Sequence, residues 1–294
     1  MSAPLLIADV PWLLYRSYFA LPKSITDADG QPVNALLGTV NTLLSLTEPP
    51  PTGVSPRALV ACMGAEQADY RVALYPPYHA HRDPMPPELA AQWQKAPRLL
   101  ESLGWLVPTT DDLEADDVML SFALAESERG GRSLLLTADR DLYGAVGERV
   151  AVLELGKRGG AHVEIGPKEV HERYGVAPEQ VPDFIALRGD PSDGLPGAPG
   201  IGAKTAAELL HSHGSLEGVL KAAHNIRSEM TPRRAAALMD NEELLLAFKQ
   251  IATLQRIDAQ PPADHTTDFA GGAQMAEELG MRRLAARLDQ LAKA

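Results

Sequence analysis

Apolar residues fall into four short unbroken runs separated by longer stretches of helical spacing. Leu5-Leu6-Ile7-Ala8 ends in Asp9, and Ala58 to Met63, Ser133 to Leu136 and Val150 to Leu155 are runs of the same kind. Continuous apolar runs of this length predict strands buried on both faces. Between them, Val33 to Leu46 and Asp116 to Glu128 carry helix-spaced apolar residues. Strands alternating with helices predict an α/β fold, a central mostly parallel sheet with helices on both faces. From about Asp183 onward the pattern is mainly helical, clearest over Ala203 to Leu210, Leu216 to Ala223 and Leu244 to Leu254. Two regions are therefore expected, residues 1–182 as the α/β core and 183–294 as a helical region. The last twenty residues predict an amphipathic helix used for packing.

Two proline-rich stretches interrupt the pattern. Glu48 to Pro56 reads as a turn-rich loop without chemistry of its own. Tyr75 to Pro87 holds five prolines with aromatic and basic residues between them. It reads either as a surface connection or as a mobile element beside a site.

In a parallel sheet, ligands bind at the carboxyl ends of the strands. Asp9 and Asp139 both fall just past such ends. Three acidic clusters extend that observation: Glu114-Ala-Asp-Asp117, Thr137-Ala-Asp-Arg-Asp141, and Gly189-Asp-Pro-Ser-Asp193 running into Gly-Leu-Pro-Gly-Ala-Pro-Gly-Ile-Gly-Ala-Lys-Thr205. Taken singly, the first is a helix start whose acids suit the dipole, and the second is a common D-x-D. Gathered in one site, such carboxylates repel one another and need cations to stay ionised. Glycines at 197, 200 and 202 ahead of a helix offer backbone N–H groups to phosphate, with Lys204 beside them. The turn is not a Walker-type loop, because Ala203 separates Gly202 from Lys204. Acids for cations beside a turn for phosphate point to a metal-dependent enzyme acting on a phosphate backbone.

Bulk composition constrains this reading only weakly. The 39 acidic and 27 basic residues leave a net charge of −12, the wrong sign for a plain DNA-binding surface. Eight of those excess charges are the acids just named together with Asp9, and cations would offset them. No apolar run approaches the roughly 18 residues of a membrane span, and the N-terminus lacks a signal peptide's basic and apolar regions. Cys62 is the only cysteine. The expectation is a cytoplasmic monomer with no membrane contact.

The motifs, in this order, resemble those of the 5′-nuclease family, the flap endonucleases and the 5′-exonuclease domain of bacterial DNA polymerase I. The likeness runs from residue 5 to about 255, and no polymerase region follows, as in a stand-alone member. It implies a PIN-like 5′-nuclease fold with a helical arch or gateway at about 75–100 and a helix-three-turn-helix at about 189–212. It also implies metal ligation by Asp9, Glu114, Asp116, Asp117, Asp139, Asp141, Asp190 and Asp193. Tyr15 and Arg16 match a Tyr-Arg pair that meets substrate, and Tyr70-Arg71 matches an F/Y-R pair. Gly197, Gly200, Gly202, Lys204 and Thr205 match the turn that grips duplex DNA, where a potassium ion rests on backbone carbonyls. Arg82 matches an arch cation, and His79 stands where the family has a lysine. The other departure is at Met63-Gly64, where the family has F-D, so one metal-site aspartate is missing.

The expected mechanism is two-metal phosphodiester hydrolysis with two or three Mg²⁺ or Mn²⁺ ions. Asp9, Glu114, Asp116 and Asp117 would hold the ion nearest the reaction, the other four acids a second or third. Arg82, Arg16 and Arg71 would stabilise phosphate charge. Substrates would be 5′ flaps, nicked or gapped duplexes, 5′ ends and RNA primers on DNA, in primer removal and repair. Two alternatives stand beside this. One is a structure-specific DNA-binding protein that has lost catalysis, motivated by Gly64; the other is a PIN-type single-strand ribonuclease.

Overall fold

A computed structural model describes residues 3–50, 53–156 and 161–293; positions 51 and 52 of the first proline-rich loop lie outside them. The four apolar runs are strands: β1 (Leu5–Asp9), β2 (Ala58–Cys62), β3 (Ser133–Leu136) and β4 (Val150–Glu154). A fifth, β5 (Val163–Ile165), was not legible as a run; it has three residues, and Val163 is 48% exposed. The sheet order is β2-β1-β3-β4-β5. The first four strands are parallel and β5 runs antiparallel to β4 at the edge.

Successive strand residues face opposite sides, and each side has its own core. Leu5, Ile7, Val60, Leu135 and Val152 share one core with α5 (Ala115–Glu128), which packs on the sheet, and with α6 (Pro167–Tyr174), α7 (Val181–Arg188), α8 (Ala203–His213), α9 (Leu216–Ala223), α10 (Pro232–Met239) and α11 (Glu242–Ala252). Leu6, Ala8, Leu59, Leu134 and Leu153 face α1 (Val10–Ala20), α2 (Asn34–Thr47) and α4 (Pro87–Ser102). The C-terminal pair α12 (Phe269–Glu278) and α13 (Arg282–Ala292) returns to this second side, with α12 against α4. Among the described residues no helix is long and apolar enough to cross a membrane.

Short α3 (Asp69–Leu74) precedes the second proline-rich stretch. Residues 75–86 form turns and extended chain, because prolines there remove helix hydrogen bonds. The expected arch region is thus a run of turns leading into one helix, α4, which packs on α1, α2 and α12.

Candidate active site

β1 lies between β2 and β3, so the crevice at its carboxyl end is where the order of strand connections reverses. Asp9 ends β1 and caps α1, its Oδ1 accepting from the Trp12 amide at 2.9 Å. Its Oδ2 accepts from the Thr137 hydroxyl at 2.7 Å, and that hydroxyl accepts from the Asp139 amide at 3.0 Å. Thr137 therefore joins the ends of β1 and β3. Asp139 Oδ1 accepts from the Asp141 amide at 2.9 Å, and a 3₁₀ turn over Asp141–Ala145 leads the chain away.

The remaining acids reach this crevice from helix ends. Glu114, Asp116 and Asp117 sit at the start of α5, where unsatisfied N–H groups favour negative charge. Asp190 and Asp193 follow α7, whose chain stops at Gly189 with φ 83°. Asp190 and Leu195 then exchange two backbone hydrogen bonds of 2.8 Å each and close the loop. The Ser192 hydroxyl and amide both donate to Asp190 Oδ1.

Electrostatics show that the clusters form one constellation. Burial raises Asp9 to about 6, helped by the charges of Asp116 and Glu114. Asp139 rises to about 8 through loss of water, then through Asp116 and Asp193; its exposed edge gives solvent a share in tempering that rise. Asp141 is pushed well above the carboxylate range by burial and by Asp139, Asp193 and Asp190. Asp193 goes the other way. Burial pushes it up, but the His79 hydrogen bond and the charges of His79, Arg82 and Arg71 outweigh this and hold it low.

His79 and Arg82 hold Asp193 low, and Arg71 lies among the acids at the start of α5, which burial still raises at Asp116 and Asp117. Arg71 reaches Glu114 at 2.9 Å and Asp116 and Asp117 at 3.1 Å each. Asp193 Oδ1 contacts His79 Nε2 at 3.0 Å and Arg82 at 3.1 Å. Arg188 pairs with Asp190 at 3.0 Å. Among the described residues no ion pair reaches Asp9, Asp139 or Asp141. Nor do any three acidic, histidine or cysteine side chains among them close on one point as a finished coordination shell. The donor set nonetheless fits hard divalent cations. It is all oxygen, and burial and mutual repulsion favour the protonated form of its carboxylates, which positive charge would oppose.

Four candidate residues are turned away from solvent. Arg71, expected at substrate, is 1% exposed and surrounded by acids. His79, expected as a substrate contact, is 5% exposed and turned onto Asp193. Gly197, expected to face DNA, is buried; a Cβ there would lie 2.3 Å from the Gly189 amide, so it closes the loop. Asp117, expected as a catalytic ligand, has no exposed surface. In each case the sequence gives the residue type but not the direction in which packing turns it.

Gly200, Gly202 and Lys204 are exposed and Thr205 half-buried, at the open N-terminus of α8. Arg16 is exposed on α1 with its guanidinium 5.8 Å from the Trp12 ring centre, and Tyr15 donates from its hydroxyl to Glu66. Arg82 is partly exposed, bonded also to the Ser192 carbonyl. Three residues were missed. Thr137 lay inside a quoted motif; Arg188 directly precedes Gly189-Asp190; buried Tyr78 donates to Glu114 at 3.2 Å and stacks on His79. Gly64 has a physical reason for carrying no side chain: a Cβ would lie 2.4 Å from the Ala115 amide, at the start of α5.

Residues 4–175 match the 5′-3′ exonuclease N-terminal resolvase-like domain, and 176–268 match the 5′-3′ exonuclease C-terminal SAM fold. A 5′-3′ exonuclease of Mycobacterium tuberculosis is 33% identical across 99% of this chain and 98% of its own. The thermostable DNA polymerase I of Thermus thermophilus is 35% identical over 97% of this chain, which spans 32% of the polymerase. Among solved structures, a bacteriophage T5 flap endonuclease in a complex with DNA and metal ions superposes with a TM-score of 0.68. That match covers 99% of this chain and 100% of the other at 18% identity, a likeness of fold.

Proposed function

Because this chain belongs to the 5′-3′ exonuclease family of nucleases, we propose that it hydrolyses phosphodiester bonds at DNA flaps, nicks and 5′ ends with divalent cations. The observation that carries this is the gathering of acids at the carboxyl ends of β1 and β3, with Asp190 and Asp193 on the loop that leads into α8. Asp9, Asp139 and Asp141 are the strongest candidates to hold Mg²⁺ or Mn²⁺, since among the described residues no cation pairs with them. Glu114, Asp116, Asp190 and Asp193 would complete the shells of two or three ions. Bound there, the metal supplies positive charge to the scissile phosphate and acidifies an attacking water.

The chain's own groups do the rest. Thr137 fixes Asp9 by its 2.7 Å hydrogen bond. Arg82 and Arg16, both with solvent-facing guanidinium groups, would take phosphate oxygens. Amides at 202–205 and Lys204 would hold the downstream duplex by its backbone, with potassium on the carbonyls of that turn. Tyr15, half-buried on α1 with its hydroxyl on Glu66, would be a further substrate contact. The substrate range includes RNA primers on DNA, and a monomer in the cytoplasm suffices for the reaction.

Gly64 favours one second reading, a structure-specific DNA binder without catalysis. A 5′-labelled flap duplex incubated in Mn²⁺, Mg²⁺ or EDTA, beside D139N, separates the two. Metal-dependent flap release by wild type alone supports the nuclease. Tight binding without cleavage in either metal supports the binder, and preference for single-stranded RNA points to the PIN-type ribonuclease.

A further inference from the structure

The acids at the start of α5 divide between two environments. Glu114 and Asp116 keep 15% and 12% of their side chains exposed. Asp117 has none exposed. Its Oδ1 accepts from Arg71 at 3.1 Å and from the Gln255 amide at 2.6 Å, while its Oδ2 is buried without a hydrogen-bond partner. One turn later the Ser121 hydroxyl accepts from the Ile257 amide at 3.0 Å. The segment after α11 is thus pinned to α5 at two points.

Arg71 is the other half of this junction. It donates from Nε to the Ile251 carbonyl near the end of α11 at 3.2 Å, and spreads Nη1 and Nη2 over three carboxylates. Only a planar guanidinium fork reaches a carbonyl and three acids at once; a lysine is a point charge. α11 packs on α7, and α7 runs directly into Gly189 and Asp190. One contact chain therefore leads from Glu114 and Asp116 through Arg71 and α11 to the loop that bears Asp190, Asp193 and the α8 turn. A single guanidinium against three carboxylates still leaves net negative charge for a cation.

We propose that Arg71 and Asp117 are a positioning pair that takes neither substrate nor metal. Asp117 orients Arg71, and Arg71 holds Glu114 and Asp116 toward the ions while tying them to the C-terminal helices. This rests on the metal-site reading above.

The test uses the full chain as wild type, D117N, D116N, R71K and the R71K/D117N double variant. Mn²⁺ binding is followed by titration, and hydrogen exchange at residues 251–257 is followed in EDTA. D117N and R71K should bind as many ions as wild type, each about 10-fold more weakly. The double variant should be no weaker than either single one, as for a pair acting as a unit. D116N should lose an ion. Exchange at 251–257 should accelerate in D117N and R71K but not in D116N. Loss of one ion in D117N would make Asp117 a ligand and overturn the proposal. So would unchanged exchange at 251–257, or an R71K variant with a raised KM for flap DNA and normal Mn²⁺ affinity. Should D117N not fold, R71K alone decides through the same two readouts. A wild type that binds no Mn²⁺ sinks the proposed function instead, and the exchange contrast, read without metal, still judges the pair.

Discussion

The strand-end acids and the helix-start acids meet in one crevice with different cation partners, although burial raises Asp116 and Asp117 as it does Asp9 and Asp139. At the strand ends, Asp9, Asp139 and Asp141 have hydrogen bonds from Thr137 and from backbone amides, and their carboxyls are raised by burial and one another. At the start of α5, Arg71 lies against all three carboxylates. The first half is built to be completed by an external cation, and the second is already partly completed by an internal one. The same kind of side chain therefore does two jobs, and what separates them is the cation within reach.

The sharpest way to test this contrast is to remove one acid from the uncompensated half. Asp139→Asn should lower flap cleavage on the order of 10³-fold or more, a loss of the scale seen when one preorganised charge-stabilising group is removed. Flap binding should persist, and in EDTA the melting temperature should rise because a repelled carboxylate has gone. A fall in melting temperature would place Asp139 in the structural half. Arg71→Met should do the reverse to stability. Leaving buried carboxylates without their cation costs about 3–5 kcal/mol, readable by urea denaturation in EDTA, and saturating Mn²⁺ should restore part of it.

Acidity gives a smaller and continuous measure. Asp9 at about 6 and Asp139 at about 8 both lie above the ordinary aspartate value near 3.8. A raised carboxyl binds its proton more tightly in the folded state. Its stabilising contribution is whole below about pH 4 and is lost as pH climbs through the folded values. Metal-free protein should therefore melt progressively lower from pH 5 to 8. With saturating Mg²⁺ the slope should flatten, because the cation replaces the protons, and Mg²⁺ binding should release protons detectable by calorimetry in buffers of different ionisation heat. An unchanged slope would remove these acids from the cation site. The mildest test lies outside both halves. Lys204→Ala should weaken duplex binding at every sequence and reduce the salt dependence by about one phosphate contact.

Much of this was legible beforehand, for identifiable reasons. β1 to β4 are buried on both faces, so each needed an unbroken apolar run, whereas edge strand β5 needed none. The acids were legible because three local clusters carry them. Their counter-cations were not. Arg71 is 45 residues from Asp116 and His79 is 114 from Asp193, and neither partnership leaves a local trace. Arg71 looks like a surface arginine on a short helix until α11 docks over it. Gly197 and Gly200 look alike in sequence, yet one closes the loop against Gly189 and the other faces solvent.

Gly64 ties the site to the start of α5 by sterics alone. With the Ala115 amide 2.4 Å and the Leu113 carbonyl 2.8 Å from where a Cβ would stand, a side chain at this position first requires the backbone ahead of α5 to withdraw. A side chain here therefore calls for a coordinated change in two segments, the Gly64 turn and the start of α5. Gly64→Asp alone should cost about 1–3 kcal/mol from overpacking before it could gain a ligand, and a second change that draws the backbone ahead of α5 back should recover that loss.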